Sequence, residues 1–132
     1  MTSVARYAYA MLAWAFLLGM VVQVFLAGLG MFAGSQNFRL HADFGWALHL
    51  APLLLLAAAF AARAGRLHWV FALALAIVVF IVPIFAILRT DMPVIAALHP
   101  VAAVLSFGLA LMVARNSLLP LRGTPETSSA RV

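Results

Sequence analysis

The stretch LHWVFALALAIVVFIVPIFAIL, residues 67–88, decides the fold. It holds no charged residue and exceeds the ~18 apolar residues that a helix needs to cross the hydrocarbon core of a bilayer. Three more runs of the same kind flank it, at 7–33, 38–62 and 94–114. The chain is 67% hydrophobic and 8% charged, where a soluble domain carries roughly a quarter charged residues. The sequence therefore predicts an all-α integral membrane domain over 1–115. Residues 116–132 turn polar, with Pro120, Gly123 and Pro125, and read as a disordered cytoplasmic tail.

Short connections set the topology. Arg63-Ala64-Gly65-Arg66 and Arg89-Thr90-Asp91-Met92-Pro93 are tight turns, so neighbouring helices run antiparallel in an up-down-up-down four-helix bundle. The net charge of +5 comes from arginines at helix ends rather than from a patch, which argues against nucleic acid. Arg6, Arg63, Arg66, Arg115, Arg122 and Arg131 fall on one side; Arg39 and Arg89 fall on the other. The positive-inside rule then places both termini in the cytoplasm of a bacterial inner membrane. The first run is too long for the 7–15-residue core of a signal peptide and reads as a retained span.

A weak repeat divides the bundle into two similar hairpins. Val21-Val22 precedes His41 by 20 residues and Val78-Val79 precedes His99 by 21. Each histidine opens a span from the outer end, about 6 and 9 Å down its helix at 1.5 Å per residue. Gly45 and Ala103 follow one turn deeper, where small side chains leave room for a flat ligand. Intramembrane histidines need partners and mark functional sites. Two imidazoles on facing helices can bind haem iron from both faces, with Arg39 and Arg89 placed to meet the propionates. The expected cofactor is haem b, with His41 and His99 as iron ligands.

His49 competes for that role. Measured from the cytoplasmic arginines, His49 and His99 lie about 21 and 24 Å up, level with Gln23 and Pro83 at about 25 Å. By that ruler His49 is the alternative ligand, or a partner of Gln23 in a polar layer. Asp43 with His49 and His99 is a weaker candidate for zinc or copper. Pro52, Pro83 and Pro100 each remove a backbone donor and can kink a span. Gly19, Gly28, Gly30, Gly45 and Gly108 are candidates for close helix packing. His68, Trp69 and Tyr7 read as interfacial residues. The absence of cysteine excludes disulfides and covalent c-type haem. No nucleophile–base pair, phosphate loop or nucleotide fingerprint is present, so no catalytic residue is assigned.

Through these residues the chain resembles one four-helix half of the haem A synthase family. Gln23-Val24-Phe25-Leu26-Ala27-Gly28 with Gly34-Ser35 is similar to that family's first helix and its exit. Phe38-Arg39-Leu40-His41 with Gly45 is similar to the second-helix histidine segment, and Pro93–His99 with Ala103 to the fourth. The chain is also similar to a group of short bacterial four-helix membrane proteins with the same two histidine segments. The resemblance implies His41 and His99 as axial ligands. The chain holds one bundle rather than two, no cysteine and no acid in its short first outer loop, so haem A synthesis itself is not expected.

The expected function is a b-type haem protein in electron transfer or haem holding, with lipid around it, a quinone or redox protein as partner, and a homodimer as the route to an eight-helix assembly. The alternatives are a cofactor-free assembly subunit and, less favoured, a small oligomeric transporter or channel.

Overall fold

The structure, a computed structural model, describes residues 3–118. Its helices are α1 (Ser3–Phe32), α2 (Phe38–Leu48), α3 (Ala51–Ala61), α4 (Arg66–Ile87), α5 (Pro93–Ala96) and α6 (Leu98–Ser117), with a 3-10 turn at Ser35–Asn37. No strand occurs among the described residues. Four spans, Val4–Phe32, Ser35–Ala61, Arg66–Ile87 and Pro93–Ser117, are long and apolar enough to cross a membrane.

The second and fourth spans are each in two pieces, where the sequence predicts single helices at 38–62 and 94–114. Pro52 cannot give the carbonyl of Leu48 its helical hydrogen bond. The chain tightens there, and the His49 N–H is shared between the carbonyls of Gly45 (3.1 Å) and Trp46 (3.3 Å). Pro100 leaves the Ala96 carbonyl in the same position, and α5 gives way to α6 at Ala97. His49 thus sits on one break and His99 just past the other. Pro83 is carried inside α4 without interrupting it. The last span runs on through Asn116 and Ser117, which the sequence assigned to the tail; residues 119–132 of that expected tail lie outside the described residues.

Packing closes a ring. Helix α1 packs on α2, α3 and α6, α3 on α4, and α4 on α6. The turn at 62–65 reverses the chain through Arg63 (φ 46°) and Gly65 (φ 96°). The buried core is confined to the half of the bundle that carries the chain termini. Tyr9, Ala13, Phe16, Leu17 and Met20 meet Leu55, Ala59, Leu75, Val79, Ala110, Val113 and Ala114 there. Between residues 80 and 101 nothing is fully buried, and between 21 and 51 only Gly30 is. The far half, which holds His41 and His99, is loosely packed.

In lipid no hydrophobic gain draws helices together, so contact depends on close approach through small residues. Alanines do most of this: Ala10, Ala13, Ala59, Ala62, Ala72, Ala76, Ala102, Ala110 and Ala114 are buried. Two of the glycines expected to pack, Gly28 and Gly108, face open space. The other three form a ladder along the α1–α2 crossing. Methyls added at 19, 45 and 30 would lie 2.7 Å from Leu48, 2.6 Å from the Gln23 amide and 2.6 Å from the Phe38 ring.

Ala72→Leu should therefore lower stability in detergent by about 1–3 kcal/mol through overpacking, whereas Gly108→Ala should be neutral or better. Denaturant unfolding followed by circular dichroism checks both; equal effects would contradict the packing described.

Candidate functional site

Two imidazoles meet edge-on in the loosely packed half. His41, one turn into α2, and His99, at the start of α6, have ring centres 6.2 Å apart and ring planes at 73°. Each ring is tied to the preceding span of its own hairpin. His41 Nδ1 is 3.0 Å from the Gln23 carbonyl oxygen on α1. His99 Nδ1 is 2.9 Å from the Val82 carbonyl oxygen on α4, next to Pro83. The two bonds span 18 and 17 residues, so the hairpin repeat seen in the sequence is repeated in the wiring.

This wiring fixes the chemistry of the rings. A carbonyl oxygen only accepts, so each Nδ1 carries the proton and donates it. In the neutral ring the lone pair then resides on Nε2, the tautomer that binds metals. Anchoring the other ring nitrogen on a carbonyl is also how proteins orient metal-ligating histidines. Neither Nε2 has a hydrogen-bond partner among the described residues. Both rings are half-buried.

His49 lies elsewhere. Its Nδ1 is 3.3 Å from the Gly45 carbonyl oxygen, and its ring lies 5.4 Å from Trp46 and 5.0 Å from Phe80. Its Nε2 is buried without a partner. It is His41 that shares ring contact with His99; His49 meets Phe80 on α4 instead.

Gln23 does not bond His49. Its Nε2 donates to the backbone carbonyl of His41 at 2.8 Å, while its Oε1 is buried without a partner. Gly45, expected to leave room for a flat ligand, instead accommodates this amide. Ala103 is half-buried one turn beyond His99. Arg39 and Arg89 stand exposed near the same end. Arg39 pairs with Asp43 at 3.6 Å, and Arg89 Nη1 donates to the Ala86 carbonyl at 3.4 Å. Among the described residues no three His, Cys, Asp or Glu side chains gather as a metal site. The zinc or copper alternative through Asp43, His49 and His99 is therefore corrected: Asp43 is engaged with Arg39, and His49 lies between Trp46 and Phe80.

The Val82 carbonyl could not be foreseen as a partner, since any backbone oxygen is a candidate acceptor. It also left His68 as a plain interfacial residue, whereas its ring meets the buried Tyr9 edge-on at 6.1 Å. Tyr9 could have been found from the 9-13-16-17-20 stripe that α1 turns to the core. Trp69 stacks on Phe60 at 5.8 Å, and Tyr7 is exposed.

Residues 23–91 match a family of unknown function, DUF6220. The match spans just over half of the sequence, and the chain belongs to that family. It begins at Gln23, includes His41 and His49, and stops short of His99. No curated protein and no solved structure matches the chain.

Because His49 presents a buried nitrogen with no partner, His49→Phe should leave stability unchanged or raise it. His41→Phe, which abandons the Gln23 carbonyl, should lower it by about 0.6–1.7 kcal/mol, the range for interhelical hydrogen bonds in membranes. Unfolding of the two variants in one detergent decides the point.

Proposed function

We propose that this chain is a b-type haem-binding membrane protein in which His41 and His99 ligate the iron from opposite faces. The observation that carries the reading is the ring spacing. The rings of His41 and His99, from different hairpins, come to 6.2 Å centre to centre, and the carbonyl beside each Nδ1 leaves Nε2 as the nitrogen that would hold a metal. The loose packing of this half is consistent with a site for a large flat group. The similarity of the two histidine segments to those of the haem A synthase family points the same way.

When bound, haem b supplies a reversible one-electron iron couple. The chain's own residues orient the ligand nitrogens, and Arg39 and Arg89 offer positive charge where carboxylates would leave the bundle. If histidine held the iron from both sides, no open coordination site would remain, and electron transfer or haem holding would be the role. A quinone arriving through lipid or a redox protein at the far face is the proposed partner, in a bacterial inner membrane with both termini cytoplasmic. A homodimer is the proposed larger assembly.

One observation favours a second reading. The Nδ1 bonds of His41 and His99 also serve to pin each hairpin, which is all that a cofactor-free assembly subunit would ask of them.

Visible spectra of the purified protein, before and after dithionite, separate the two. The haem reading expects sharp reduced α and β bands, lost in His41→Ala and in His99→Ala and kept in His49→Phe. A protein that is colourless and takes up no added haemin would overturn it in favour of the assembly subunit.

A further inference from the structure

Gln23 and His41 are joined twice, and the two joints run in opposite directions. The His41 ring donates to the backbone carbonyl of Gln23 at 3.0 Å, and the Gln23 side chain donates to the backbone carbonyl of His41 at 2.8 Å. The first joint sets the ring's rotation and tautomer. The second sets the height of α2 against α1, because it grips the main chain at the residue that bears the ring. The amide reaches that carbonyl through a gap that only glycine leaves, since a methyl at 45 would stand 2.6 Å from Nε2. His99 has no counterpart: it is held through Nδ1 alone, and the residue supplying its carbonyl, Val82, has no polar side chain to return a bond.

We infer that Gln23 is the positioning residue for His41, acting through the keyhole at Gly45, so that the two imidazoles are held unequally. The inference rests on the haem reading above and extends it. Gln23 would not touch the iron; it fixes where the His41 Nε2 lone pair stands relative to His99. Partners of this kind around metal-ligating histidines are worth about 10- to 100-fold in affinity when removed. Because Gln23 and Gly45 act on one hydrogen bond, their losses do not add.

The test is haemin titration of the full chain as wild type, Gln23→Leu, Gly45→Ala and the double variant. Helix content and thermal melting are followed alongside, and the midpoint potential is measured at saturating haemin. The expected result is a drop in affinity of about 10-fold for each single variant. The double variant should be no weaker than either, and the potential should shift in the same direction in all three. A general loss of stability would lower the melting point without moving the potential of the loaded protein. If Gln23→Leu fails to fold, Gly45→Ala carries the test, because it expels the amide without deleting it. Single variants that match wild type in affinity and potential would overturn the positioning role while leaving the haem reading intact. Additive losses would overturn the keyhole. A wild type that binds no haemin would overturn the haem reading and, with it, this inference.

Discussion

The placement of the two imidazoles in the far half of the bundle depends on two hydrogen bonds from ring nitrogen to backbone carbonyl. In lipid a polar ring has no water to turn to, and an unsatisfied polar group there costs several kcal/mol. His41 and His99 meet that demand by reaching across their own hairpins to Gln23 and Val82. Each bond contributes modestly to stability, because a helix loose in the membrane also finds partners. Its larger consequence is positional. It selects the ring nitrogen that keeps its lone pair, and it brings two rings from different hairpins to 6.2 Å.

The rest of the architecture divides along the membrane normal. Near the termini, alanines and a few larger apolar side chains interlock, and Ser106 and Ser117 turn their hydroxyls back to the carbonyls of their own helix. That half is closed and carries the burden of assembly. The opposite half gives up tight packing: its spans are broken near Pro52 and Pro100, and its side chains are only partly covered. A bundle whose only task was to stay folded would have little reason for such a division. One that holds a group between α2 and α6 needs a firm end and an accommodating one.

Much of this was legible in the sequence, for physical reasons that differ by residue. Apolar runs of spanning length and arginines at their ends fix the number and order of helices, because bilayer thickness and charge cost leave little choice. His41, His99 and Gln23 stood out as polar groups in lipid. Their grouping was not legible from counting along helices. Counting along the second span leaves His41 and His49 as rivals, and only the structure shows that His41 meets the His99 ring while His49 meets Phe80. The sequence offers Gly45 as room for a flat ligand, whereas its neighbour in the structure is the Gln23 amide. Gly28 and Gly108 look the same as Gly45 in the sequence, yet face open space; only the helix crossing separates them. The packing alanines were hidden by their abundance.

On the proposed haem reading, His41 and His99 would share one iron with their ring planes steeply inclined. Electron paramagnetic resonance of the oxidised, haemin-loaded protein tests it most directly, since low-spin iron between two imidazoles reports the angle between their planes. The 73° inclination predicts a strongly anisotropic low-spin signal with its main feature at high g, absent from His41→Ala and from His99→Ala. A high-spin signal from the wild type, or a low-spin signal that survives loss of either histidine, would contradict it.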